Sequence, residues 1–201
     1  WLGPEGGQFS IFFEPVSAFT FENWRTPRLI DLDAFDLVSK TEHSASFKKA
    51  AVLTNYSGTV FNITIHREIR VLDQGIALQL LAIAPDTTLR FVAYQTDNQL
   101  ENTGQSAWSR ETGLLSIWLL GMFNPSTGLT MVLPYVSGSS ESLGAVVNDD
   151  YFGKVPDDRL KVSEGIIYFK GDGKYRSKIG LSPTRARDVM GSYDALTKTL
   201  T

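Results

Sequence analysis

His66 is the residue whose type and spacing best suit acid–base chemistry in this sequence. It lies between Thr64 and Glu68 in an alternating segment, so all three side chains share the polar face of a predicted strand. His66 is then the candidate general acid, with Glu68 holding its ring. An exposed strand histidine with no catalytic role is the alternative interpretation. The other histidine, His43, is not separated from His66 by a spacing typical of metal ligands. We therefore expect neither a bound metal nor a cofactor.

Three cations stand where a charge needs a partner or a polar cavity. Arg67 interrupts the otherwise apolar face of segment 59–72. Arg176 and Lys178 share one face of segment 175–181 with Gly180, as in the wall of a wet cleft. Guanidinium and ammonium groups bind carboxylates well, so these residues predict an acidic sugar as ligand. Ion pairs with Glu5 and Glu68 are the alternative.

Aromatic and amide side chains complete the predicted site. Glu5 and Gln8 stand beside aromatics in the glycine-rich segment 1–13, and Trp24 lies in a polar loop. Trp118 lies inside an apolar run, where core packing is the alternative interpretation. Sugar sites combine an aromatic face with polar groups for the hydroxyls. The predicted substrate-binding residues are Glu5, Gln8, Trp24, Arg67, Trp118, Arg176 and Lys178, gathered in one cleft.

Strands must position these residues, because helical periodicity is scarce in the 201 residues. Strands are predicted at 8–13, 35–41, 44–54, 59–73, 76–84, 89–95, 114–123, 130–134, 160–163, 166–170, 175–180 and 186–194. Asp172-Gly173 is predicted to turn a hairpin, and 137–150 to be a long mobile loop. The sequence therefore predicts one all-β domain over 1–201, an antiparallel sandwich or barrel.

The composition excludes several classes of function. The formal net charge of −3 argues against nucleic acid as a partner, and no apolar run has the roughly 20 residues of a membrane helix. With no cysteine, thiolate catalysis and zinc–thiolate sites are absent. The expected partner is a small or oligomeric carbohydrate, and the expected location is periplasmic or secreted.

Four segments, 1–9, 111–125, 148–156 and 175–183, resemble an uncharacterised bacterial family with a galactose-mutarotase-like fold. The resemblance covers essentially the whole chain. It implies an antiparallel β-supersandwich of the aldose epimerase superfamily. It also implies that the chain is an internal fragment, with strands of that sandwich missing at both ends.

The superfamily includes mutarotases, in which a histidine acid and a late glutamate base open the sugar ring. Segment 97–104 resembles the asparagine-bearing turn before the catalytic histidine strand, but Ser116 or Trp118 stands near the expected histidine. Three hypotheses follow. The first is a carbohydrate-binding or carbohydrate-processing protein, a sugar lyase included. The second is an epimerase with a rearranged acid such as His66, and the third is a non-catalytic structural domain of a larger protein.

Overall fold

A computed structural model describes residues 1–84, 88 and 90–201, and it divides the chain into two compact units, Trp1–Leu120 and Gly121–Thr201. Strands predominate in both units, and their pairings are antiparallel, so the all-β prediction is confirmed. The supersandwich and the single-domain organisation stay predictions. None of the helices in the described ranges has the length and apolar character needed to cross a membrane.

The first unit is built on a four-stranded antiparallel sheet. Its strands are β2 (Asp36–Lys40), β3 (Ser44–Thr54), β4 (Val60–Leu72) and β5 (Ala93–Asn102), in the spatial order β2-β3-β4-β5. Three of the predicted strands correspond closely to β2, β3 and β4. At the start of β4, alternation buries Phe61 and Ile63 and leaves their neighbour Asn62 exposed. The apolar face of the sheet therefore forms one side of the hydrophobic core.

Short segments before β2 and after β5 pack against the apolar face of this sheet. Strand β1 (Leu2–Gly3) pairs with β6 (Ser116–Ile117), a one-turn 3-10 helix spans Phe21–Asn23, and α1 spans Arg28–Asp31. The fully buried Asn55 joins two of the connecting loops, because its Nδ2 donates to the Thr112 carbonyl at 2.9 Å. The buried core cluster comprises Leu2, Ile11, Phe12, Leu29, Leu53, Phe61, Ile63 and Leu115.

The second unit contains a five-stranded antiparallel sheet. Its strands are β7 (Leu129–Pro134), β8 (Leu160–Ser163), β9 (Ile166–Lys170), β10 (Gly191–Asp194) and β11 (Thr199–Leu200), in the order β11-β10-β7-β9-β8. The sequence predicted β8 and β9 with the observed bounds. Ile167 of β9 is fully buried, and the Tyr135 hydroxyl donates to the Ser163 carbonyl at 2.9 Å.

A fully buried arginine holds the loop that follows β7. The Arg185 guanidinium donates to the carbonyls of Val136, Gly138, Ser139 and Gly144 at 2.7–3.3 Å. Helix α3 (Ser140–Leu143) lies within this loop. The segment predicted as a mobile loop therefore contains a helical turn tied to the rest of the unit.

Four predicted strands are wrong or largely wrong. Segment 76–84 instead contributes to helix α2 (Gln74–Leu80), which the Asp73 carboxylate caps by accepting from the Ile76 N–H at 3.0 Å. Segment 8–13 forms turns and bends, because the Ser10 N–H bonds back to the Gly7 carbonyl. In 114–123 only Ser116–Ile117 pairs, since its partner β1 ends before Pro4, which has no N–H to extend the ladder.

Segment 175–180 is the fourth correction. It forms no strand, and only Gly180 pairs, through an isolated bridge to Asn148. Asp172-Gly173 therefore turns the chain without closing a hairpin. The predicted strand 186–194 is shortened to β10. In the predicted strand 89–95, Leu89 lies outside the described residues, and the observed strand β5 begins at Ala93.

Candidate functional site

Two cations and two aromatic rings form a cluster in the second unit. Lys178 Nζ lies 4.1 Å from the centroid of the Tyr151 ring, and the Arg176 guanidinium carbon lies 4.4 Å from that of Phe152. The two rings meet edge to face at 4.7 Å. Tyr151 is 69% exposed and Phe152 46% exposed, so the cluster presents aromatic surface and positive charge to solvent. We call these four residues the cation–aromatic cluster.

The loop carrying the aromatic residues is fixed at two points. Asn148 and Gly180 exchange two backbone hydrogen bonds of 2.8 Å, which bring the aromatic loop beside the cation-bearing segment. The buried Asp149 carboxylate accepts from Lys154 Nζ at 2.7 Å and from the Val155 N–H at 3.2 Å. The hydrogen bond from Lys154 is the main cause that lowers the pKa of Asp149 and raises that of Lys154. Asp149 is thus structural.

An open hollow of about 600 Å³ adjoins the cluster. Its lining includes Tyr151 and Lys178, with Asn148, Gly180, Ser182 and the acidic residue Asp150 beside them. Neither Arg176 nor Lys178 forms an ion pair with any carboxylate in the described ranges. The hollow therefore combines an aromatic ring, polar residues and a lysine that forms no ion pair, and Asp150 also lies in its lining.

In the first unit, predicted site residues surround Trp1, which sequence reasoning did not single out. Trp1 Nε1 donates to Glu5 Oε1 at 2.8 Å, and the Trp1 carbonyl accepts from the Trp118 N–H at 2.9 Å. Trp118 Nε1 donates to Ser116 Oγ at 2.9 Å. A Cβ added at Gly3 would lie 2.4 Å from the Trp118 ring, so the indole packs directly on the backbone there.

Trp24 and Gln8 have contrasting environments. Trp24 is half-buried and stacks on Phe12 at 5.2 Å, and Phe12 stacks on Trp1 at 5.8 Å. Trp24 thus packs against the core. The Gln8 residue is exposed, and its carbonyl accepts from Ser57 Oγ at 2.5 Å.

Arg67 lies at a small cleft of about 110 Å³ that Trp1 and Ile117 also line. It pairs across the β4–β5 ladder with Asn98 and, within the described parts of the chain, forms no ion pair. The predicted alternative, pairing of Arg67 with Glu5 or Glu68, is therefore not seen. Glu5 bonds to Trp1, and Glu68 pairs with Arg70 at 3.5 Å.

His66 has a different partner from the one predicted. Its Nε2 lies 3.3 Å from Glu101 Oε2 on β5, whereas Glu68 faces Arg70. The ladder register places His66 and Arg67 on opposite faces of the sheet, so they do not share a face. Among the described residues, no group of three potential ligands could hold a metal ion.

Residues 1–201 match the model of a protein family described as a family of unknown function (DUF6786). The chain belongs to this family. No curated protein and no solved structure matches the chain. Of the predicted site residues of this DUF6786 protein, Glu5, Gln8, Trp24, Arg67 and Trp118 lie in the first unit, and Arg176 and Lys178 lie in the second.

Proposed function

We propose that this protein is a carbohydrate-binding or carbohydrate-processing protein that recognises an acidic sugar. The proposal includes the galactose-mutarotase-like supersandwich and the bacterial origin that the sequence resemblance implies. Antiparallel, strand-rich units are compatible with that fold. The observation that carries the proposal is the cation–aromatic cluster, whose two cations have no carboxylate partner in the described ranges.

The cluster combines the groups that an acidic sugar requires. A pyranose ring has an apolar C–H face that packs on an aromatic ring such as Tyr151. A sugar carboxylate accepts charge-assisted hydrogen bonds from Lys178 and the planar fork of Arg176. Asn148 and Ser182 in the lining supply hydrogen-bonding groups for hydroxyls. Glu5, Gln8, Trp24 and Trp118 stay predicted sugar-binding residues.

Calorimetric titration with a galacturonic acid trisaccharide and a neutral galactose trisaccharide tests the proposal. We expect binding of the acidic sugar, binding of the neutral sugar at least tenfold weaker, and a tenfold loss of acidic-sugar affinity in Arg176→Ala and Lys178→Ala. Lys174→Ala is the matched control, because Lys174 is an exposed neighbour whose side chain is outside the cluster. Equal binding of both sugars, or equal effects of all three substitutions, would contradict the proposal.

The His66–Glu101 contact of 3.3 Å favours a second candidate, an epimerase with a rearranged acid. Glu101 would hold the imidazole while His66 donates a proton to the ring oxygen. NMR measurement of anomer exchange tests this candidate: acceleration by the protein that is lost in both His66→Ala and Glu101→Gln supports it. Acceleration that survives His66→Ala removes His66 as the acid. No binding and no acceleration favours the non-catalytic structural domain.

A further inference from the structure

We propose that the Arg67 cleft is a separate binding site for a short-chain aliphatic carboxylate of about four or five carbons. The sequence predicted that Arg67 contacts an acidic sugar. The composition of the cleft points to a different ligand, and this inference is independent of the sugar site in the second unit.

The walls of the cleft are apolar. Leu2, Leu29, Ile65 and Leu100 line it, and Leu2 and Leu29 are almost completely buried. These side chains offer no hydrogen-bonding partner to a sugar hydroxyl, and an unpaired hydroxyl in an apolar site is unfavourable. An alkyl chain, in contrast, gains from contact with every wall.

The polar part of the cleft is one cross-strand pair in the middle of the β4–β5 ladder. Arg67 and Asn98 are direct cross-strand partners, so their side chains leave the sheet on the same face. Arg67 is exposed and lacks a carboxylate partner among the described residues, and the Asn98 amide donates one of its N–H groups to Thr96 Oγ1 at 3.2 Å. A ligand carboxylate accepts from the Arg67 fork, and the second Asn98 N–H is available beside it.

The volume of the cleft limits the ligand. About 110 Å³ is less than the roughly 150 Å³ of an apolar cavity that binds benzene, so a complete pyranose does not fit. A branched chain of three or four carbons does. Each methylene transferred from water to an apolar wall raises affinity about fourfold, so affinity should rise steeply from acetate to 3-methylbutanoate.

Titrations followed by two-dimensional NMR test the site with sodium acetate, sodium 3-methylbutanoate and the neutral 3-methylbutanamide. We expect 3-methylbutanoate to bind at least tenfold more tightly than acetate or the amide. Arg67→Gln should weaken its binding at least tenfold, whereas Arg110→Gln, at an exposed arginine outside the cleft, should leave it unchanged.

Leu100→Asn provides an independent readout, because it makes one wall polar while keeping Arg67. This variant should bind acetate as the unsubstituted protein does but lose the preference for 3-methylbutanoate. Equal affinity for acetate and 3-methylbutanoate, or an Arg67→Gln variant that binds within twofold of the unsubstituted protein, would overturn the proposal. Chemical-shift changes centred on residues outside the cleft would overturn the proposal as well.

Discussion

Replacing Arg185 by methionine should destabilise the second unit more than a typical single substitution does. Arg185 is fully buried, and its guanidinium donates five hydrogen bonds to four backbone carbonyls. Methionine retains an apolar stem of similar length but supplies no donor. The Ser139 carbonyl also accepts a hydrogen bond from the Leu143 N–H. Within the described residues, the other three carbonyls accept no backbone hydrogen bond of this kind.

The expected loss in the free energy of unfolding follows from the other three carbonyls. A buried acceptor that loses its partner costs about 1–3 kcal/mol, with the lower figure for groups that water can reach after the loop relaxes. Three such groups give an expected loss of about 3–5 kcal/mol in the free energy of unfolding. With a urea dependence of about 2 kcal/mol per molar, the unfolding midpoint should fall by roughly 2 M.

Urea titration monitored by amide hydrogen exchange within 129–145 measures this loss where it should occur. Tryptophan fluorescence is unsuitable, because all four tryptophans lie in the first unit. Arg187→Met is the matched control: Arg187 is exposed, and its replacement should change stability by less than about 0.5 kcal/mol. A loss below about 1 kcal/mol for Arg185→Met would refute the view that this arginine organises the loop.

Two further substitutions test other contacts. Hydrogen bonds from Arg159 lower the pKa of the buried Asp172 carboxyl from 3.8 to about 2. The pair therefore stabilises the folded state above about pH 4, and this contribution is lost as the pH falls from 3.8 towards 2. Acid unfolding followed by circular dichroism should show this loss in the unsubstituted protein but not in Asp172→Asn; identical acid profiles would disprove the assignment. Gly3→Ala should displace the Trp118 indole, which a Cβ would approach to 2.4 Å, and shift its fluorescence to longer wavelength; an unchanged spectrum would show that the ring does not pack there.

The sequence predicted the long strands well because their alternation reflects a single buried face. In β4, Phe61 and Ile63 mark that face at every second position, and the pairing with β3 preserves it. Helix α2 was mistaken for a strand because a short apolar run such as Ile76–Leu80 does not distinguish the two by periodicity. The distinguishing signal was the capping residue Asp73 just before it.

Continuous apolar composition proved a poor guide to burial in 114–123. The sequence suggested a buried strand, yet Leu119 is 77% exposed and Met122 is 97% exposed. A strand is limited by its pairing partner as well as by its own residues, and the partner β1 provides only two residues. That limit is a long-range property, so the local sequence did not contain it.

The same distinction explains what was found and what was missed at the cation–aromatic cluster. Arg176 and Lys178 were recognisable because they stand two residues apart, although the segment is not a strand. Tyr151 and Phe152 were missed as their partners because the contact depends on the Asn148–Gly180 pairing between distant parts of the chain. Stacking on a ring leaves a cation its charge, whereas pairing with a carboxylate would neutralise it. The ring contacts therefore leave both residues the positive charge that the proposed recognition of an acidic sugar requires.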